Sequence, residues 1–158
     1  MSNLTIWDAV KETDPRFTKK VSFGARQFTS IDAHYQIRRA TEYFGPIGQG
    51  WKYDCVYSTE TVGGVCFQFA DLTIHWKRDH DWHTYGPVRG CNMLVTTKGA
   101  VDEDAPKKAM TDALTKALSH LGFSADVFTG KFDDNKYLKQ LQDKYTGNVD
   151  KSKVTEVK

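Results

Sequence analysis

The chain has 158 residues, of which 39% are hydrophobic and 27% are charged, a composition typical of one soluble globular domain. No run of about 18 apolar residues occurs, so we expect no membrane-spanning helix. The N-terminus also lacks the basic and apolar regions of a secretory signal. The three cysteines, Cys55, Cys66 and Cys91, are too few and too scattered for a disulfide framework, which favours a reducing cytoplasm.

The net charge of +2 does not by itself indicate a nucleic-acid partner, but the cations are unevenly distributed. One basic segment contains a single acid, Asp32, among the cations Arg16, Lys19, Lys20, Arg26, Arg38 and Arg39. Such a cluster is consistent with a surface that neutralises phosphates, but composition alone favours a solvated basic face. Aromatic residues make up 13% of the chain, enough for a core and for rings that stack on bases.

Two helices are predicted in the first third of the chain. A short one covers Thr5–Lys11 and ends before Pro15. A longer one follows Asp32, a residue suited to cap its start, and has apolar residues at helical spacing: Ala33, Ile37, Ala40 and Phe44. Gly45 and Pro46 end this helix, and GPIGQG forms a turn.

Three strands with short turns are predicted next, which indicates an antiparallel meander. The first begins at Trp51, where apolar and polar residues alternate, and a turn at Gly63-Gly64 leads into the second. The apolar phase of the second strand slips near Ala70 and Asp71, which predicts a β-bulge or a bend there. The third covers 82–96, with interruptions at Gly86-Pro87 and Gly90.

A long amphipathic helix is the strongest local prediction. It begins near Pro106 and ends at Gly122, its apolar stripe is Met110, Leu114, Ala117, Leu118 and Leu121, and Asp112 and Lys116 form an i,i+4 pair. A short helix over 137–145 follows. We therefore expect one domain over residues 1–145 and a flexible polar tail over 146–158.

Several motifs of enzymes are absent or weak. The chain has no GxxxxGK[ST] loop, which argues against ATP-driven strand exchange. His75, His80 and His83 lie near Cys91 without the spacing of a zinc site, so surface histidines are the better interpretation. The carboxylates Asp133 and Asp134 could bind Mg²⁺ as in a nuclease, but neighbouring acids are common, so we favour solvation or helix capping.

Residues of both longer helices occur in a distinctive order. The long helix contains TDALTKALSHLG (residues 111–122), and a D-x-x-Y segment (Asp134–Tyr137) follows it. Upstream, Glu42-Tyr43-Phe44-Gly45 is followed by Gly50-Trp51. In this order, these segments resemble the Rad fifty-two superfamily of single-strand annealing proteins, especially its small phage-encoded members. The resemblance covers about residues 25–142.

The resemblance implies an α+β fold in which a three-stranded antiparallel β-meander packs on the long helix. It also implies a homo-oligomeric ring or helical filament that binds single-stranded DNA, with bases exposed for pairing, and that needs no nucleotide or other cofactor. Such a protein anneals complementary strands during recombination and repair, in the cytoplasm of a bacterial host. Its partners can include an exonuclease or a single-strand-binding protein.

Site residues follow from the same resemblance. The family's basic positions on the long helix correspond to Thr115, Lys116 and Ser119, of which only Lys116 is charged; Lys107 and Lys108 can compensate. The implied DNA contacts are completed by residues of the upstream helix and of a secondary site: Tyr35, Arg38, Arg39, Lys77, Arg78 and Lys98. Four further residues, Asp112, Gly45, Gly122 and Trp51, are interpreted as structural.

Three alternatives remain open at this stage. One is a module that coats DNA ends without annealing, and another is a metal-dependent nuclease that uses Asp133 and Asp134. The third is a structural protein whose assembly needs no nucleic acid.

Overall fold

The computed structural model describes residues 2–147, which form two compact units. The central unit spans 37–121 and contains the predicted sheet. The terminal unit combines residues 2–36 with 122–147. No helix in residues 2–147 has the length and hydropathy needed to cross a bilayer.

The sheet of the central unit has the order β3-β4-β5, formed by β3 (Trp51–Val62), β4 (Val65–Arg78) and β5 (Asp81–Val95). Both pairs are antiparallel, so the predicted meander and the α+β class are confirmed. Gly63 and Gly64 connect the first pair with positive φ angles of 57° and 79°, which glycine adopts at low cost.

The irregularity predicted near Ala70 and Asp71 occurs slightly further along, as a register shift between Leu72 and Ile74. Strand β4 keeps one alternation throughout, with Ala70, Leu72 and Ile74 all buried on one face. The register shifts of the sheet lie between β4 and β5, at Cys66/Phe67 and at Leu72/Ile74. The apparent phase slip arises because Phe67 and Phe69 lie on the opposite face, where they stack on each other with ring centroids 6.3 Å apart.

Helix α3 spans Ala105–His120, as predicted within about a turn. Leu114, Ala117 and Leu118 of the predicted stripe are buried, together with small residues one turn apart such as Ala109 and Ala113. A Cβ atom added to Gly90 of β5 would lie 2.1 Å from the carbonyl oxygen of Ala109. The backbones of helix and strand therefore approach closely, and only glycine leaves the space for it.

The terminal unit contains α1 (Thr5–Val10), a hairpin of β1 (Thr18–Phe23) and β2 (Arg26–Ile31), α4 (Ala125–Phe128) and α5 (Asn135–Thr146). The helix α2 (Ala33–Phe44) begins in this unit. Asp32 accepts a hydrogen bond of 2.9 Å from the His34 amide, which confirms the predicted cap. The hairpin was not among the predicted elements. Most of the predicted tail lies outside the described residues.

A buried carboxylate organises the terminal unit. Asp126 accepts hydrogen bonds from the Thr13 amide (2.9 Å), the Thr13 hydroxyl (2.6 Å) and the Tyr137 hydroxyl (2.8 Å). Asp134, by contrast, caps α5, where it accepts from the amides of Lys136 and Tyr137. The capping interpretation of Asp134 is thus confirmed.

Candidate nucleic-acid interface

Three of the predicted lysines, Lys107, Lys108 and Lys116, are exposed on α3. The ammonium group of Lys108 lies 2.7 Å from Asp102, and that of Lys116 lies 3.0 Å from Asp112. The hydrogen bond from Lys108 is the main reason that the pKa of Asp102 falls below its ordinary value. Two of the three candidate phosphate contacts are therefore held by acids of this chain.

Asp112 joins α3 to the outer edge of β5. Its Oδ2 atom accepts a hydrogen bond from the Cys91 amide at 3.1 Å as well as the one from Lys116. The amide is then not left unpaired at the strand edge, and the lysine is held beside that edge. Exposed ion pairs of this kind contribute little to folding, so a phosphate can replace the carboxylate at small cost.

Both arginines of α2 share one acid. Glu42 accepts from Arg38 at 3.0 Å and from Arg39 at 2.8 Å, and these two hydrogen bonds, that of Arg39 first, lower its pKa. Arg38 is exposed and Arg39 is half-buried. Only part of their charge is therefore available to an external anion.

Tyr35 is not accessible to DNA in this structure, since only 5% of its surface is exposed. Its hydroxyl accepts a hydrogen bond from the Asp14 amide at 3.0 Å, and its ring stacks on Phe17 with centroids 4.9 Å apart. We therefore leave Tyr35 out of the candidate interface. The basic residues Arg38 and Arg39, one turn further along, remain in it.

The three residues of the implied secondary site lie at two ends of the sheet. Lys77 and Arg78 end β4, whereas Lys98 follows β5 in a turn closed by Thr96 and Ala100. A strand rises about 3.3 Å per residue, so the length of β5 separates these positions by roughly 45 Å. The structure therefore does not bring Lys98 together with Lys77 and Arg78. Lys98 instead lies at the end of the sheet where α3 begins.

The hairpin β1–β2 forms a basic surface that was not among the predicted elements. Residues 15–31 contain Arg16, Lys19, Lys20 and Arg26 and no acid. The register pairs Val21 with Phe28 and Phe23 with Arg26, which places Lys19, Val21, Phe23, Arg26 and Phe28 on one face because directly paired residues share a face. We call these five residues the hairpin face.

Exposed rings alternate with cations on the hairpin face. Phe23 is 80% exposed next to the turn and Phe28 is 43% exposed. The guanidinium carbon of Arg26 lies 5.9 Å from the centroid of the Phe28 ring. The signal in the sequence was TKKVSF and RQFTSI on either side of Gly24-Ala25, a two-residue turn in which Gly24 has a φ of 62°.

Chemically, the hairpin face combines the two groups that bind single-stranded nucleic acid without reading its sequence. Cations neutralise phosphates, and flat apolar rings stack on bases. The lysines of α3 add a second basic surface, in the central unit.

No protein-family model matches the chain, and no curated protein is significantly similar to it.

Proposed function

We propose that this protein binds single-stranded DNA and anneals complementary strands without nucleotide hydrolysis, as a multimer. The hairpin face carries the proposal, because it presents Phe23 and Phe28 to solvent beside Lys19 and Arg26, in a segment without acids. Phe23 and Phe28 lie on one face of the hairpin and together form an exposed apolar patch flanked by cations. A base is a partner that would cover the ring while the cations bind its phosphates.

Annealing follows from this kind of binding by simple electrostatics. Two free strands repel each other, and lysines and arginines that neutralise phosphates remove that repulsion and release counterions. Bases that are held without sequence-specific hydrogen bonds remain able to pair with a second strand. The duplex that forms supplies the driving force, so no nucleotide is needed.

The resemblance to the Rad fifty-two superfamily supports the same function. Its motif residues include Asp112 and Trp51, and both are placed where a structural role requires them. Trp51 is fully buried and donates a hydrogen bond from Nε1 to the Thr41 hydroxyl at 3.2 Å, whereas Asp112 joins β5 to Lys116. We assign the protein to recombination and repair in a bacterial host cell, of the phage-encoded type, with no catalytic residue of its own.

Lateral assembly is part of the proposal. Within residues 2–147 no strand lies along the outer edges of β3 and β5, which are paired only by single bridges at Trp51 and Val95. The edge strand β3 is twelve residues long and exposes Val56 (68%) and Val62 (57%). Such an edge normally needs a cover, and a second copy of the chain would provide one.

An annealing assay tests the proposal. Two complementary oligonucleotides, one with a fluorophore and one with a quencher, are mixed at low concentration and low salt, where spontaneous pairing is slow. The protein should accelerate quenching without nucleotide and in the presence of EDTA, and added salt should suppress the effect. Non-complementary strands should bind without quenching.

Each failure of this assay has a distinct meaning. Tight binding with an unchanged pairing rate would contradict annealing and favour the end-coating module. Loss of labelled DNA only with Mg²⁺ would identify a nuclease. Absence of any DNA binding at low salt would remove the proposed function altogether and leave the structural protein.

A further inference from the structure

The sheet of the central unit has one face turned away from α3. Ala70, the partner of Gly90, lies on the face that contacts the helix, because Gly90 lies against Ala109. Odd-numbered residues of β4 and their direct partners therefore belong to the other face, which we call the open face. Its side chains include Lys52, Val56, Phe69, His75, Lys77 and Trp82.

Trp82 is the centre of one end of the open face. Its side chain is 40% exposed. The ammonium nitrogen of Lys52, on β3, lies 4.6 Å from the ring centroid, and that of Lys77, on β4, lies 5.5 Å from it. Both distances are in the range of a cation–π interaction. Each of the three strands thus contributes one side chain to a cluster of one tryptophan and two lysines.

Both cations at Trp82 are available to an anion. In the part of the chain that the structure describes, neither Lys52 nor Lys77 has a carboxylate within ion-pair distance. Asp54, two residues from Lys52 on the same face of β3, instead accepts a hydrogen bond from Nε2 of His75 at 2.7 Å, and the other nitrogen of that ring lies 2.9 Å from the Thr84 hydroxyl. Asp54 is therefore hydrogen-bonded to His75 and not to either lysine.

A comparison with Phe69 on the same face shows why Trp82 differs. The guanidinium of Arg89 lies 4.5 Å from the Phe69 ring centroid and is itself paired with Asp71 at 2.8 Å. The cation over Phe69 is thus already neutralised by an acid of the chain. Among residues 2–147, only Trp82 combines an exposed ring with cations that have no acid partner on this face.

We propose that Trp82, Lys52 and Lys77 form a site for one nucleotide of a single strand, separate from the hairpin face. The base stacks on the indole ring, and the two ammonium groups bind the adjoining phosphates. The proposal rests on the proposed function for its ligand class, but it concerns a different unit of the chain. A site without hydrogen-bond donors aimed at base edges would accept any base.

Variants of Trp82 test the stacking of a base, and alanine variants of Lys52 and Lys77 test the phosphate contacts. Trp82→Leu removes the stacking ring and Trp82→Tyr keeps one. Tyr57→Leu is the matched control, because Tyr57 is also exposed (50%) on this sheet but lies on the other face. Each protein is titrated with oligothymidylate and with an abasic oligomer of the same length, and its fold is checked by circular dichroism.

The expected result is a roughly tenfold loss of affinity for oligothymidylate in Trp82→Leu, with affinity for the abasic oligomer unchanged. Trp82→Tyr and Tyr57→Leu should bind almost as the unmodified chain does. Lys52→Ala and Lys77→Ala should weaken binding of both oligomers and reduce the salt slope by about 0.7 each.

The inference is overturned if Trp82→Leu binds both oligomers as the unmodified chain does while Phe23→Ala weakens binding. In that case the proposed function stands and the hairpin face alone holds the strand. If the unmodified chain binds neither oligomer, the proposed function itself fails.

Discussion

At the scale of single residues, the cations of α3 are held in place by acids rather than extended into solvent. Lys116 is anchored by Asp112, which is anchored in turn by the Cys91 amide. The pair costs little to separate because both side chains are partly exposed (47% and 37%). Such a lysine is held in position to bind a phosphate, and its ion pair with the acid can be exchanged for that phosphate.

Replacing Lys116 with Ala should weaken binding to all single-stranded sequences alike. One phosphate contact is lost, so the slope of log affinity against log salt should fall by about 0.7. The slope is measured by fluorescence anisotropy at several salt concentrations. Lys136→Ala, an exposed lysine in the first turn of α5, is the control. An unchanged slope and affinity in Lys116→Ala would show that Lys116 does not contact DNA.

Two tyrosines of the terminal unit make its stability sensitive to high pH. The pKa of Tyr137 is raised above its ordinary value, mainly by burial and then by the hydrogen bond to Asp126. The pKa of Tyr145 is raised in the same way, mainly by burial and then by the hydrogen bond to Glu12. The folded chain therefore holds these protons more tightly than the unfolded chain. The stability that they contribute is complete below the tyrosine pKa of about 10 and is lost as the pH rises above it.

Urea unfolding across this pH range measures the effect. The free energy of unfolding should decline above pH of about 10, and the decline should be shallower in Tyr137→Phe and Tyr145→Phe, which have no proton to lose. Each variant also lacks a hydrogen bond and should be less stable near neutral pH. An equally steep decline in all three proteins would rule out the two tyrosines as its cause.

At the scale of elements, the hairpin β1–β2 shows where a sequence pattern was sufficient and was missed. Its strands are rich in β-branched and aromatic residues and flank Gly24-Ala25, a recognisable turn. The basic segment identified from composition was interpreted without a strand period, so the shared face of Phe23, Arg26 and Phe28 was not seen. The pairing of the two strands places these cations and rings on one face of the hairpin.

Removal of the exposed ring next to the turn should affect binding far more than folding. Phe23 is 80% exposed, so Phe23→Ala should leave the urea midpoint nearly unchanged but weaken binding of oligothymidylate. Ser22→Ala, a neighbour on the opposite face of the hairpin, is the control. Equal affinities of Phe23→Ala and Ser22→Ala would exclude the ring from the interface.

At the scale of the whole molecule, the uncovered strand edges predict association. Light scattering should give a mass several times that of the 17.9 kDa chain, at least with single-stranded DNA present. Thr59→Lys and Thr61→Lys place charges on β3, where they should lower the mass because a charged edge resists pairing. A monomer with and without DNA would contradict both the association and the assignment to annealing proteins.

The sequence alone determined the elements whose signals are local. The periodicity of α3, the cap at Asp32 and the turn at Gly63-Gly64 depend on residues within a few positions of each other, and all three are present. The resemblance to annealing proteins also rests on such local segments, and it stays a prediction.

The tertiary structure alone decided which residues meet. Tyr35 was expected at DNA but is buried, because its partners Asp14 and Phe17 come from an earlier segment. The alternation of apolar residues in β4 could not be interpreted from the sequence for a similar reason. Phe69 lies on the face away from the helix, where Arg89 of β5 covers it. Lys52 and Lys77 are brought to the Trp82 ring by the register of three strands. Contacts between distant segments depend on the geometry of the sheet, which no local spacing encodes.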